Sequence, residues 1–109
     1  MNTVKTKEAI ELHFKASKLK NMDGMFGKSD PFLELSMEIK DPVKGVQWEK
    51  IGCTEVIMDN LDPVWQTAII VSYFFGVQQN MRVEVKDMDT ENKSESIGIG
   101  EFLVSTLIT

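Results

Sequence analysis

Asp87 and Asp89 stand two residues apart, just after Met81, Val83 and Val85, and share their parity. Residues two apart on an extended chain project to the same side, so both carboxylates can face one point. Asp23 and Asp30 bracket a glycine-rich turn, Asp23-Gly-Met-Phe-Gly-Lys-Ser-Asp30, which ends against Pro31. Glu91 and Glu95 follow Asp89 in the same predicted loop. Clustered carboxylates repel, and one takes up a proton unless a cation lies among them. Calcium is such a cation, and it binds six to eight oxygens at about 2.3–2.6 Å, many from carboxylates. The spacing is not that of a helix-loop-helix calcium loop, which needs acids at one, three and five, Gly at six and Glu at twelve. Acids paired in a loop are also what a merely solvated loop carries.

Other chemistries find less support. The single His13 leaves no Ser-His-Asp or Cys-His arrangement, and no general base is apparent, so no enzyme is expected. A metal-dependent transferase built on Asp-x-Asp would need a nucleotide-binding α/β domain, for which 109 residues are too few. The lone Cys53 can form neither an internal disulfide nor a zinc site, and its strand-like neighbours predict a buried thiol. A net charge of -5 and a pI of about 4.8 oppose nucleic-acid binding and simple adhesion to anionic lipid. A bound cation can reverse that local charge.

The elements that must hold these acids read as strands. Ile10, Leu12, Phe14 and Ala16 alternate with Glu11, His13, Lys15 and Ser17. Ala9, Leu12, Ala16 and Leu19 also fit a helix face, but the β-like stretches that follow favour a strand. Leu33, Leu35, Met37 and Ile39 alternate with Glu34, Ser36 and Glu38. Further strands are predicted at 48–57, 68–71, 81–86 and, more weakly, 102–108; residues 74–80 read as a helical turn or a connection. Asp23-Gly24, Asp41-Pro42 and Lys44-Gly45 mark turns. About six strands separated by turns predict one antiparallel β-sandwich over residues 1–109, with 1–8 a flexible terminus. Trp48 and Trp65 are expected in the core or on a sheet face, and His13 in solvent. Lys44, Lys50 and Lys86 are read as surface lysines, with a headgroup patch as the alternative. No apolar run approaches the roughly 18 residues that would span a bilayer, and Met1 to Lys7 resembles no secretory signal, so a cytoplasmic setting is expected.

At Gly27-Lys-Ser-Asp-Pro-Phe-Leu-Glu34 the chain resembles the C2 domains of the copines. The resemblance continues through Thr54-Glu-Val-Ile57, Leu61-Asp-Pro-Val-Trp65, Val83-Glu-Val-Lys-Asp-Met-Asp89 and Gly100-Glu-Phe102, in the family's order. It implies an all-β, eight-stranded Greek-key sandwich with calcium loops at one end. This chain stops before the family's last strands, so it is read as an excerpt of a longer protein, with a missing edge strand as the alternative. The resemblance places Asp30, Asp87 and Asp89 at ligand positions. Asp23 is one residue out of register, because Gly24 occupies the family's other first-loop position. The last ligand position falls on Ile97 or, counted from Gly98, on Glu95. Met25 and Phe26 stand where C2 domains dip apolar side chains into lipid; the alternative is that Phe26 packs back on the sandwich.

The function so implied is a calcium-dependent phospholipid-binding module that recruits its parent protein to anionic membranes. Its localisation would be cytoplasmic, peripheral at the inner face of the plasma membrane when calcium rises. The alternative is a calcium-independent protein-interaction domain with a degenerate metal site.

Overall fold

The computed structural model describes residues 7–22, 27–89 and 93–107. The strands are β1 (Lys7–Leu12), β2 (Pro31–Asp41), β3 (Gly45–Cys53), β4 (Ile69–Phe74), β5 (Asn80–Met88) and β6 (Ser94–Leu103). A short 3-10 helix, Val104–Leu107, follows β6. The strands build two antiparallel sheets, one in the order β3-β2-β5-β6 and the other β1-β4. The expected all-β sandwich is therefore present, with six strands rather than eight among the described residues.

Alternation decides which side chains meet between the sheets. Leu33 and Leu35 of β2 and Met81 of β5 turn inward, with Val83 and Val85 packed beside them. Leu12, Ile69 and Val71 arrive from the other sheet, and Trp65 and Val104 complete the core. Each such side chain contributes about 1.5–3 kcal/mol on full burial. Arg82, Glu84 and Lys86 alternate to the outer face, where the Arg82 guanidinium lies 4.1 Å from the Trp48 ring centroid.

Several boundaries differ from the sequence reading, each for a physical reason. β1 ends at Leu12, before the alternation runs out. Beyond it the chain runs beside residues 63–65, where Ala16 N–H donates to the Pro63 carbonyl and Trp65 N–H to the Phe14 carbonyl. The pairing there is the single bridge Lys15–Val64, out of register with the Leu12–Ile69 pair, so the regular ladder is interrupted. Lys7 and Glu8, assigned above to a flexible terminus, pair with Phe74 and Tyr73.

β3 starts earlier than expected because a tight turn returns the chain along β2. Asp41 Oδ1 accepts the Val43 and Lys44 amides, both at 2.8 Å, and Gly45 takes φ 78°. The Lys44 and Val43 amides hold the Asp41 carboxyl below its usual range. β3 ends at Cys53 because Thr54 turns to pin β2, its Oγ1 accepting Leu33 N–H at 2.8 Å.

β6 lies where a loop was expected, and the segment expected as a strand is largely the 3-10 turn. Ser94, Ser96, Gly98 and Gly100 have poor strand propensity, and only pairing with β5 makes them extended. Cys53 is exposed, not buried: it is the last residue of an edge strand, opposite the outward Glu34. His13 is exposed as expected, 3.4 Å from Glu11.

Pro31 opens β2 opposite Asp87 near the end of β5. That register gathers the β1–β2, β3–β4 and β5–β6 connections at one end of the sandwich and leaves the Asp41–Gly45 turn at the other.

Candidate functional site

The site is built where β2 begins and β5 ends. Asp30 N–H donates to Asp87 Oδ1 at 2.8 Å, and Met88 N–H donates to the Asp30 carbonyl at 3.1 Å. Asp87 keeps the inward parity of Met81, Val83 and Val85 and is only 5% exposed. It lies inside β5 and not beyond it, and its Oδ1 finds a backbone amide where the preceding positions find apolar side chains. Asp30 Oδ1 in turn accepts Asp59 N–H at 2.7 Å. Each carboxylate thus has one oxygen held by an amide. Among the described residues no hydrogen bond reaches the second oxygen of either.

The other expected ligands are placed differently. Asp89 is exposed and closes the β5–β6 connection: its N–H donates to the Lys93 carbonyl at 2.8 Å, and Lys93 N–H donates to its Oδ1 at 2.9 Å. Glu95 is exposed on β6 and stands opposite Asp87 in the register. Asp23, Met25 and Phe26 lie outside the described residues. Among the described residues no three His, Cys, Asp or Glu side chains are grouped so as to hold a metal. The Asp30–Asp87 pair nevertheless fits calcium in kind, since it offers hard carboxylate oxygens at one junction.

Neighbouring connections brace this junction. Ser29 is buried; its Oγ accepts Met22 N–H at 2.7 Å and donates to the Lys20 carbonyl at 3.1 Å. Ile57 N–H and Trp65 Nε1–H both donate to the Pro31 carbonyl, at 3.0 and 3.2 Å. Asp62 Oδ1 accepts Lys18 N–H at 2.8 Å, a task that needs only an acceptor oxygen.

A sequence profile of the C2 domain matches residues 10–108. The chain belongs to the C2 domain family. It is 36% identical over 103 residues to Copine-E of Dictyostelium discoideum, covering 92% of this chain and 17% of that protein. It is 31% identical over 109 residues to nicotinic receptor-associated protein 1 of Caenorhabditis elegans, covering 89% of this chain and 17% of the relative. The chain thus spans about 17% of the length of these curated relatives. Among solved structures it is similar to BON1-C2B, with a TM-score of 0.72 and 28% identity over 94% of this chain and 68% of that one. A C2 domain of plant extended synaptotagmin 1 shares the fold at a TM-score of 0.66 and 21% identity, over 92% of this chain and 70% of that one. C2 domains are membrane- and lipid-binding modules, and calcium and phospholipid binding are typical of the family.

Two acids of this C2 domain escaped the sequence reading. Glu55 Oε2 and Oε1 accept the Gln66 and Thr67 amides at 2.7 and 3.1 Å, fastening the two ends of the β3–β4 connection. The Gln66 amide above all, against the opposing effect of burial, holds the Glu55 carboxyl at about 2. Asp59, at φ 49°, reaches the first loop through both its backbone and its side chain. Its only signal in the sequence was Asp59-Asn60, two residue types that tolerate a left-handed backbone.

Lys50 and Lys86 do not form a free basic patch. Both ammoniums pair with Glu34, Lys50 at 2.7 Å. Burial acts to raise the Glu34 carboxyl, but the two lysines together outweigh it and hold it below its usual range.

Proposed function

We propose that this C2 domain is a calcium-dependent phospholipid-binding module that brings its parent protein to anionic membranes. The observation that carries the reading is the junction of Asp30 and Asp87, each with one carboxylate oxygen held by an amide. Asp89 and Glu95 lie on the adjoining segments and would add donors, with Asp23 from the first loop. A cation held there would offset local negative charge on a chain of net charge -5 and attract lipid phosphate. Met25 and Phe26 would then enter the interface, where apolar tips suit an amphipathic boundary. In this reading the protein works in the cytoplasm and moves to the inner face of the plasma membrane when calcium rises.

The test is co-sedimentation with vesicles of phosphatidylserine and phosphatidylcholine, with calcium or with chelator. More protein should sediment with calcium; equal amounts in the two conditions would sink the proposal.

A second reading is a calcium-independent interaction domain. It is favoured by the same amides, which tie the loops together without any cation. Calorimetric titration separates the two: heat of binding at or below millimolar calcium supports the first, and its absence supports the second.

A further inference from the structure

Asp30 is gripped from two sides. Its backbone N–H is held by Asp87 Oδ1 at 2.8 Å, and its carboxylate by Asp59 N–H at 2.7 Å. Asp59 also answers in the opposite direction, its Oδ1 accepting Lys28 N–H at 3.1 Å. The two bonds are reciprocal. The β3–β4 connection donates to the first loop at Asp30 and accepts from it at Lys28. Asn60 N–H, donating to the Ser29 carbonyl at 3.0 Å, adds a rung between them.

The local backbone is arranged to allow this. Asp59 sits at φ 49°, a left-handed conformation that Asp tolerates better than most side chains. Gly27 sits at φ 135°, and a Cβ on it would lie 3.2 Å from Asp59 Oδ1. A glycine there lets the first loop approach closely enough for the Lys28 bond.

We infer that Asp59 is a positioning residue for the cation site: it orients Asp30 before an ion arrives and does not itself ligate. The inference rests on the calcium reading above and deepens it. Asp59 Oδ1 is committed to Lys28 N–H, and that task needs an acceptor oxygen, not a charge. With one oxygen of Asp30 held by the Asp59 amide, the rotation of that carboxylate is restricted. Less ordering then remains to be done on binding, which raises affinity.

The experiment compares wild type with Asp59→Asn and Asp59→Ala, using calcium chloride as the probe. Calorimetry gives the calcium affinity, hydrogen exchange without calcium gives the protection of the Lys28 and Asp59 amides, and thermal melts report folding. Asn keeps the acceptor and the tolerance of φ 49°, so Asp59→Asn should match wild type within a few-fold in affinity and in amide protection. Asp59→Ala should weaken calcium about 10–100-fold, as loss of an orienting partner of a ligand does, and expose both amides to exchange. Gly27→Ala, which crowds Asp59 Oδ1 from the other side, should act in the same direction.

An Asp59→Asn variant as weak as Asp59→Ala would mean that the charge matters, and would overturn positioning in favour of ligation. Unchanged amide protection in Asp59→Ala would overturn it too, as would unchanged affinity. If wild type gives no calcium response, the calcium reading itself fails and this inference with it. That result is read from the wild-type arm alone, so the two failures are distinguishable.

Discussion

Two sets of charged side chains lie along the same pair of strands, and they are neutralised in opposite ways. On the outer face of β2 and β5, Glu34 is met by Lys50 and Lys86, so charge answers charge. At the end of those strands, Asp30 and Asp87 are met by backbone amides, which carry partial charge only. On the face, Glu34 is answered by full positive charges. At the strand end no lysine or arginine pairs with either acid among the described residues, which is what the calcium proposal builds on. A carboxylate is therefore informative when its partner is known, not merely when it is seen among other acids.

The largest effect should come from the support beneath the strand end. Trp65 is 2% exposed and donates to the Pro31 carbonyl next to Asp30. Trp65→Ala should cost about 3–5 kcal/mol in urea unfolding, and a loss below 1 kcal/mol would detach the site from the core.

Next comes the pair of acids itself. Asp87→Ala leaves the Asp30 amide without its acceptor, which should cost about 1–3 kcal/mol and remove the calcium heat in calorimetry. Full calcium binding by that variant would mean that the strand end is not the site. Glu34→Ala should cost about 1 kcal/mol, because Lys50 is 57% exposed and Lys86 keeps Glu84 at 3.9 Å, and should leave calcium affinity unchanged. Were Glu34→Ala to impair calcium binding as Asp87→Ala does, the contrast between face and end would be lost.

The smallest effect is in acid. Glu55 has a folded value of about 2 against an ordinary 4.5, so its contribution is fully present above about pH 4.5. That contribution is lost as pH falls through about 2. Glu34, also lowered, acts in the same direction. In Glu55→Gln the fall in stability between pH 4.5 and 2 should be shallower than in wild type, measured by chemical denaturation across that range. An unchanged acid limb would remove Glu55 as a fastener of the β3–β4 connection.

The strands that could be read in advance were those with apolar side chains on a single parity. β2 and β5 are the clearest, because period-two alternation is a local property of the chain. β6 was not legible, since its serines and glycines carry no such pattern and become extended only beside β5. Cys53 was misplaced for a related reason: strand-like neighbours say that a residue is in a strand, not that the strand lies at an edge. Asp30 and Asp87 were recognisable from their segments. Asp59 and Glu55 were not, because their partners lie in other segments or across a loop.

By itself, the order of residue types determined an all-β chain, the turns that divide it, and two acids at the ends of what became β2 and β5. Alternation and turn chemistry act over a few neighbours, so they survive without tertiary information. Only the tertiary structure decided that Asp30 and Asp87 meet, across 57 positions of sequence, and that Asp59 holds the first of them. Those contacts depend on strand register and on which loops share an end, and both are set by packing of the whole sandwich.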